Sequence, residues 1–532
     1  MERFFNTAGP VRDDLHYLLP PLERLADADL LSLVAQQKYF VLHAPRQTGK
    51  TSALLGLMAL LNESGDYRCL YANMEAAQAA REDVVAAMPA ICREIATRAR
   101  DHLDEPLLLG WLEGPLTSAT PYGLLGELLS MWANASDLPT VLFLDEIDSL
   151  VGDTLISVLR QLRAGYDKRP ASFPASVILC GVRDVRDYRI HASAEKEVIT
   201  GGSCFNIKAE SLRLGNFSEE ETRRLYAQHT EATEQRFEEE ALELAWGYSR
   251  GQPWLVNALG YEVCFKHQGV RDRSQPVTAQ AMEAAKERLV DSRATHLHQL
   301  ADKLAEPRVH RVVSAMLAGD RPLSEVPPDD LEYVADLGLV ELRPEVRIAN
   351  GIYREVIPRE LSWATQVMLH QPTAWYVGPD HRLDMDKLLA AFQEFFRENS
   401  EPWLERFTYK EAGPHLLLQA FLQRVVNAGG RIDREYGLGR LRTDLLVRWP
   451  TDPEQGLLGP LQKVVIELKV LRKSLDLTIE QGLAQTAEYV QRTGAAEAHL
   501  VVFDRREGVP WDDKVFVRRE EHGGLPVAVW GM

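Results

Sequence analysis

The sequence predicts a multidomain α/β protein whose first domain is built on a parallel sheet. The β-rich run KYFVLHA (38–44) is followed, after a short loop, by TSALLGLMALL (51–61), whose residues are good helix formers. Two further apolar runs, TVLFLDE (140–146) and SVILCG (176–181), alternate with helical stretches. Strands that alternate with helices favour a parallel sheet with helices on both faces.

The composition narrows the class of protein. The 532 residues, 45% hydrophobic and 26% charged, are typical of a globular chain of about three or four domains. The net charge of −18 excludes the long-range attraction to nucleic acid that a basic protein has, so any contact with DNA must be local. Without a signal-peptide pattern or an apolar run of about 18 residues, we expect a cytoplasmic protein with no membrane segment. The five cysteines form no C-x-x-C pair, so neither a disulfide framework nor a zinc site is expected.

Changes of pattern along the chain divide it into five segments. From about residue 218, long helical stretches such as SEEETRRLYAQHT replace the strands, and Ser218 followed by Glu221 predicts a capping box. The stretch HQPTAWYVGPDHRLD is rich in helix breakers, which is typical of a linker. The predicted segments are an α/β core (1–217), a helical lid (218–305), a winged-helix-like module (306–365), a linker (366–384) and a C-terminal α/β domain (385–532).

The third segment has the element order of a winged helix-turn-helix. RVHRVVSAML and PDDLEYVADLG predict two helices, and LVEL and VRIA predict a short β pair before a further helix. Modules of this kind usually read DNA. The second helix, however, carries four acids: Asp329, Asp330, Glu332 and Asp336. Their charge would repel phosphate, so we expect a packing function for this module.

A phosphate-binding pattern lies between the first strand and the first helix. APRQTGKT meets G-x-x-x-x-G-K-[ST] except that alanine replaces the first glycine. Backbone N–H groups at the helix N-terminus form a nest for phosphate, Lys50 can reach the β and γ oxygens, and the Thr51 hydroxyl can bind Mg²⁺. The expected nucleotide-binding residues of this loop are Ala44, Pro45, Arg46, Gln47, Thr48, Gly49, Lys50, Thr51 and Ser52.

The strand VLFLDE supplies two acids to the same site. Asp145 ends this apolar strand and can hold Mg²⁺ directly or through water, while Glu146 can orient an attacking water. Together the two motifs resemble those of P-loop ATPases of the AAA+ and STAND kind, over roughly residues 1–360. Gly251, Gln252 and Pro253 match the Gly-x-Pro motif that the lid of that family often carries. The resemblance implies a switch that ATP drives or gates, with Mg²⁺ as cofactor.

Charged residues interrupt an apolar strand of the C-terminal domain. In VVIELKV (464–470), Glu467 and Lys469 share one face, because alternate residues of a strand point the same way. RIDREYGL followed by LRTDLLVRW predicts a hairpin with Asp444 in its second strand. The helix that follows carries Gln485 and Tyr489, four residues apart and therefore on one face. The predicted order is helix, three strands, helix, strand.

This order resembles the PD-(D/E)XK nuclease superfamily, although the leading Pro is absent. Asp444 matches the Asp, and Glu467 with Lys469 matches the E-x-K. Gln485 and Tyr489 match the Q-x-x-x-Y element of RecB-like members. Two carboxylates on adjacent strands can hold one or two Mg²⁺ ions, with Mn²⁺ as an alternative, and Lys469 can position the attacking water.

Two arginines complete the predicted site of the C-terminal domain. Arg440 and Arg442 lie close to Asp444 in the sequence, and we expect both to contact DNA phosphates. Tyr489 is a further expected DNA contact. The expected catalytic residues of the whole chain are Glu146, Asp444, Glu467, Lys469 and Gln485.

The two resemblances imply an ATPase whose nucleotide state gates a Mg²⁺-dependent DNA nuclease, of the type found in defence or mobile-element control. One alternative is a STAND-type signalling or scaffold ATPase whose C-terminal domain binds DNA or a partner without cutting. A second is a motor or loader that moves on DNA. DNA is the expected partner, with RNA as an open alternative, and the sequence is compatible with a homo-oligomer or a protein trigger.

Overall fold

The computed structural model describes most of the chain and divides it into two compact units. The described residues are 2–183, 189–191, 198–200, 206–266, 272–292, 295–318, 326–368, 376–406, 413–426, 430–434, 444–453, 455–471, 474–506 and 509–532. The first unit comprises Met1–Met282 and Asp336–Gly338, and the second comprises Glu283–Ala335 and Leu339–Met532. Within this described part of the chain, no helix has both the length and the apolar character needed to cross a membrane.

A five-stranded parallel sheet forms the centre of the first unit. The strands lie in the order Arg68–Asn73, Thr140–Asp145, Ser176–Gly181, Tyr39–His43 and Lys208–Arg213. Every neighbouring pair is parallel. The carboxyl ends of the strands therefore meet at one edge, where the following loops lie side by side. The expected α/β class with a parallel sheet is confirmed, and the first and last strands of this order are additional to those that the sequence predicted.

Two apolar cores cover the two faces of this sheet. Successive strand residues alternate between them, with Val41 in one core and Phe40 and Leu42 in the other. Burial on both faces explains why these strands are almost continuously apolar. The helices of the first core are Val84–Leu103, Leu107–Glu113, Pro121–Ala135 and Gly152–Ala164, and those of the second are Leu30–Ala35 and Lys50–Ser64.

Helices follow the sheet in the sequence: Glu219–Thr233, Glu239–Ser249, Pro253–Cys264 and Ala279–Asp291. The predicted capping box is confirmed, because Glu221 N donates to Ser218 Oγ at 3.0 Å and Ser218 N donates to Glu221 Oε2 at 2.6 Å. Gly251 has a φ of +71°, and a Cβ there would lie 1.8 Å from the Phe217 carbonyl oxygen. Only glycine fits that position. Two short strand pairs complete the unit, Phe4–Phe5 with His16–Tyr17 and Arg189–His191 with Val198–Thr200.

The second unit contains the predicted order of two helices, a β pair and a further helix. These are Pro307–Ala318, Pro328–Asp336, the antiparallel strands Val340–Glu341 and Arg347–Ile348, and Gly351–Met368, after the helix Thr295–Leu304. Asp330 is buried and accepts hydrogen bonds from Arg308 Nε and Arg311 Nε, each at 2.7 Å. This acid is thus neutralised within the module, and the expected packing function stays a prediction.

A six-stranded mixed sheet follows. Its order is Arg431–Arg434, Asp444–Pro450, Leu461–Val470, Glu497–Phe503, Leu525–Gly531 and Phe516–His522. The third strand is antiparallel to the second and parallel to the fourth. The helices of this region are Met385–Arg406, Gly413–Val426, Leu475–Thr493 and Trp511–Lys514. The predicted order of helix, three strands, helix and strand is confirmed over residues 413–503, and the last two strands were not predicted.

A buried charge cluster links two helices of the second unit. Lys286 is fully buried, and its Nζ lies 3.2 Å from Glu283 Oε1, 2.5 Å from Glu287 Oε1 and 2.9 Å from Glu355 Oε2. Burial alone would raise the pKa of Glu355, but the charges of Lys286 and Arg359 outweigh it and lower that pKa to about 2. The cluster is therefore ionised at neutral pH, and its stability depends on the central lysine.

We expect Lys286→Ala to lower the free energy of unfolding of the second unit by about 3–5 kcal/mol, because it removes the fully buried cation that three carboxylates share. Urea titration followed by circular dichroism measures this change. Lys387→Ala is the matched control, since its ammonium pairs with Asp384 at 2.7 Å but the Lys387 side chain is 61% exposed. The control should lose less than about 1 kcal/mol. Equal losses in the two variants would contradict a stabilising function of the buried cluster.

Candidate functional site

The loop 44–51 joins the strand Tyr39–His43 to the helix Lys50–Ser64 at the carboxyl edge of the first sheet. Gly49 precedes the helix with a φ of +91° and Gln47 has a φ of +58°, so the loop turns its backbone amides at two positions. Thr48 Oγ1 donates to the Pro45 carbonyl oxygen at 2.7 Å and closes the loop. Loop and helix N-terminus together form the expected cradle for an anion.

Ala44 fits the position where the motif carries glycine. Its φ is not positive, and its side chain is fully buried in the apolar core beneath the loop. Ala44 N donates to the Gly181 carbonyl oxygen at 3.2 Å, which joins the start of the loop to the neighbouring strand. The left-handed conformations of this loop fall further along, at Gln47 and Gly49, so alanine at position 44 introduces no backbone strain.

Lys50 is nearly fully buried and lies over the loop. Its Nζ donates to the carbonyl oxygens of Ala44 at 3.0 Å and Pro45 at 3.1 Å. Arg46 and Gln47 are exposed at the tip of the loop, and Ser52 Oγ accepts a hydrogen bond from Val11 N at 3.1 Å. The ammonium of Lys50 is thus the cation that the loop itself holds in place for phosphate.

Asp145 is fully buried at the end of its strand, and several donors converge on its carboxylate. Oδ2 accepts from Thr51 Oγ1 at 2.7 Å and from Tyr71 OH at 3.0 Å. Oδ1 accepts from Glu146 N at 2.9 Å. The Thr51 hydroxyl and the Asp145 carboxylate are oxygen donors of the kind that Mg²⁺ prefers, so the expected metal fits this pair.

Glu146 has a φ of +52° and a ψ of +43°, an uncommon conformation for a residue with a side chain. Burial raises the pKa of Glu146, and the negative charges of Asp148, Asp145 and Glu75 add to this, while Lys50 opposes it. A carboxylate with a raised pKa accepts a proton more readily, which suits the predicted function of orienting and polarising a water.

Sequence reasoning missed two neighbours of Asp145. Tyr71 lies on the strand Arg68–Asn73, which the sequence analysis did not identify although RCLYAN is an apolar run with an aromatic residue. Cys180 is the second-last residue of the strand Ser176–Gly181, and burial raises the pKa of its thiol, with the charge of Asp145 and a hydrogen bond to Asp145 adding to the effect. Both contacts depend on the order of strands in the sheet, which no local motif shows.

A cavity lies between the loop, the N-terminal segment and the helix Pro253–Cys264, all within the first unit. Gln252 Oε1 accepts from Leu255 N at 2.6 Å, and Gln252 Nε2 donates to the Gln47 carbonyl oxygen at 3.4 Å. Trp254 Nε1 donates to the Thr7 carbonyl oxygen at 2.9 Å. Gln252 therefore connects the predicted Gly-x-Pro motif to the phosphate-binding loop.

The second unit brings together three of its predicted site residues. The Glu467 side chain is fully buried, and Lys469 Nζ lies 2.6 Å from Glu467 Oε1. Lys469 Nζ also donates to Gln485 Oε1. Asp444 begins the neighbouring antiparallel strand, directly opposite Glu467 in the register, so the two residues belong to one face of the sheet. The Glu467 carboxylate is an oxygen donor of the kind that Mg²⁺ or Mn²⁺ prefers, so the expected ion fits this residue.

Tyr489, the predicted DNA contact of the same helix, lies in an apolar cluster. It is buried there with Leu446, Val465 and Ala495, so packing accounts for its ring and contact with DNA stays a prediction. Arg440 and Arg442 lie outside the described residues. Among the side chains that the structure does describe, no group of three or more His, Cys, Asp or Glu could hold a metal.

His415 is a buried residue of the helix Gly413–Val426 that the sequence analysis did not single out. Its Nδ1 lies 3.3 Å from the Leu317 carbonyl oxygen, whereas Nε2 has no hydrogen-bond partner among the described residues. Burial lowers its pKa to about 3, and the charges of Arg434, Lys469 and Arg505 contribute. The imidazole is therefore neutral and buried beside the Leu317 carbonyl oxygen.

Comparison with known proteins gives distant similarities. No family model matches the chain, and no curated protein matches it. Among solved structures it is similar to a Walker-type ATPase of Pyrococcus abyssi, with 15% identity and a TM-score of 0.47 over 66% of this chain and 99% of the other. It is also similar to the ORC2 protein of Aeropyrum pernix, with 15% identity and a TM-score of 0.36 over 65% and 93% of the two chains. A third similar structure is Cdc6p of Pyrobaculum aerophilum, with 14% identity and a TM-score of 0.36 over 76% of this chain and 93% of the other. The parallel sheet, the loop 44–51 and the buried Asp145 themselves fit a P-loop nucleotide-binding core.

Proposed function

We propose that the first unit binds ATP with Mg²⁺ and hydrolyses it at the loop 44–51. The observation that carries this proposal is the hydrogen bond of 2.7 Å between Thr51 Oγ1 and Asp145 Oδ2, which joins the phosphate-binding loop to the predicted metal-binding acid. Thr51 lies in the first turn of the helix that follows the strand Tyr39–His43, and Asp145 ends a strand that is not its neighbour, with Ser176–Gly181 between the two strands. Two sequence motifs 94 residues apart thus meet in one site.

Different residues of this site would bind the phosphates, bind the metal and activate the water. The amides of the loop and the Lys50 ammonium hold the phosphates, and Thr51 with Asp145 would hold Mg²⁺. The bound ion would neutralise negative charge on the β- and γ-phosphates. Glu146 orients the attacking water and accepts its proton. Burial of Lys50 and Asp145 excludes bulk water and strengthens their electrostatic effect on the reacting phosphate.

We expect Lys50→Ala to raise the Kd for ATP by about 100-fold or more, because the loop loses the buried cation that lies against its carbonyl oxygens. Glu146→Gln should bind ATP with a Kd near wild type and lower kcat by about 10² to 10⁴, since it removes the proton acceptor and keeps the shape. Calorimetry and phosphate release measure the two effects. Lys38→Ala is the control, because Lys38 lies at the amino end of the strand Tyr39–His43, away from the loop, and pairs with Glu210 at 3.9 Å. Wild-type turnover in both site variants would rule out this site.

We further propose that the C-terminal α/β domain is a metal-dependent DNA nuclease of the PD-(D/E)XK type. The joined side chains of Glu467, Lys469 and Gln485 support this, with Asp444 opposite Glu467 in the register. Burying Glu467 and Lys469 on an otherwise apolar strand costs desolvation free energy that their mutual attraction only partly offsets. A metal ion with a bound phosphate would offset the rest.

We expect Asp444→Asn, Glu467→Gln and Lys469→Ala each to lower the rate of DNA cleavage by about 100-fold or more, because each removes one part of a metal–phosphate site. Cleavage of linear, circular and single-stranded DNA in Mg²⁺ or Mn²⁺ measures this, and a chelator should act like the substitutions. Glu480→Gln, an exposed residue on the helix that carries Gln485, should cut as wild type does. Cleavage that survives all three substitutions would place the activity elsewhere.

The full proposal is that nucleotide state gates this nuclease, in defence or mobile-element control. An ungated nuclease would endanger the cell that makes it, whereas ATP can shift an equilibrium between two arrangements by its differential affinity for them. If the C-terminal domain binds DNA or a partner without cutting, the chain is instead a signalling or scaffold ATPase. The winged-helix-like module and a homo-oligomeric assembly belong to the same proposal.

A further inference from the structure

Tyr71 lies against the predicted metal-binding acid, although no motif includes it. The strand Arg68–Asn73 is the parallel neighbour of Thr140–Asp145, with Tyr71 in register with Phe143 and Asn73 in register with Asp145. Tyr71 and Asp145 therefore share one face of the sheet, and the long tyrosine side chain reaches along the strand to the carboxylate. The ring is buried in the core beneath the helix Lys50–Ser64.

The contact of Tyr71 is to the same oxygen that Thr51 uses. Tyr71 OH donates to Asp145 Oδ2 at 3.0 Å, and Thr51 Oγ1 donates to that oxygen at 2.7 Å. An ionised carboxylate offers about four acceptor sites, and Glu146 N occupies a third on Oδ1. Donors on both oxygens prevent the carboxylate from rotating, and Tyr71 supplies a hydroxyl donor that comes from neither of the two sequence motifs.

We propose that Tyr71 is a positioning residue for the Mg²⁺–nucleotide complex, holding Asp145 in the orientation in which it meets Thr51 and the metal. This inference rests on the proposed function of the first unit. Tyr71 touches neither Lys50 nor the loop amides in any contact described above, so its effect passes through Asp145 alone. The phosphate-binding part of the site should then be independent of Tyr71, and the metal-binding part should depend on it.

The test compares the affinity for ATP with and without the metal. In Tyr71→Phe the Kd for ATP in Mg²⁺ should rise about tenfold, the effect of losing one hydrogen bond to a charged group, while the Kd in excess EDTA stays at the wild-type value. The midpoint of a Mg²⁺ titration at fixed ATP should rise by a similar factor. Calorimetry gives both Kd values without depending on turnover.

Tyr39→Phe is the matched control. Tyr39 is also a fully buried tyrosine of the same sheet, but its hydroxyl donates to the Pro174 carbonyl oxygen at 2.9 Å. This variant should keep both wild-type Kd values, and both variants should keep the wild-type far-UV circular dichroism. A structural function of Tyr71 alone would move its two Kd values together, as a general loosening of the sheet would.

The possible results separate the inference from the function on which it rests. A rise confined to the Mg²⁺ condition in Tyr71→Phe supports the positioning function. Wild-type Kd values in Tyr71→Phe, equal rises in the two conditions, or the same rise in Tyr39→Phe would overturn it while leaving the nucleotide site intact. A wild-type protein that binds no ATP in either condition would overturn the proposed function itself.

Discussion

The buried carboxylate of Asp145 is the interaction on which the site of the first unit depends. A carboxylate without water is stable only when donors or cations surround it, and here Thr51, Tyr71 and Glu146 N supply the donors. These groups come from three different segments of the chain. The parallel sheet brings them to one edge because the carboxyl ends of its strands lie together. The order of strands is therefore as much a part of the site as the motifs are.

The second unit also contains a buried carboxylate, that of Glu467, but there a lysine on the same strand compensates its charge. Glu467 and Lys469 are two residues apart on an otherwise apolar strand, and each compensates the charge of the other at 2.6 Å. Gln485, from the following helix, accepts a hydrogen bond from the same Lys469 ammonium. A buried ion pair is weak support for stability, because desolvation offsets most of its attraction. Stability alone therefore does not account for this pair, and the proposed metal site gives it a function.

Local patterns in the sequence predicted the parts of the structure that are themselves local. The loop 44–51, the capping box at Ser218 and the element order from residue 413 to 503 each follow from neighbouring residues, and each is present. Ala44 departs from the motif in sequence, but the left-handed conformations of the loop lie at Gln47 and Gly49 and not at position 44. Contacts between distant strands were not predictable, which is why Tyr71 and Cys180 were missed. Tyr489 lies on the predicted helix, but helical spacing alone did not show that its ring is buried.

The central claim is that one chain couples a nucleotide site to a nuclease site. The most direct measurement is the rate of DNA cleavage by the full chain in Mg²⁺ with no nucleotide, with ADP and with a non-hydrolysable ATP analogue, beside Lys50→Ala under the same conditions. A coupled chain should cut at rates that differ by about fivefold or more among the nucleotide states, and Lys50→Ala should lose that difference. Equal cleavage in all three states by the wild-type chain, or no cleavage in any of them, would contradict the account.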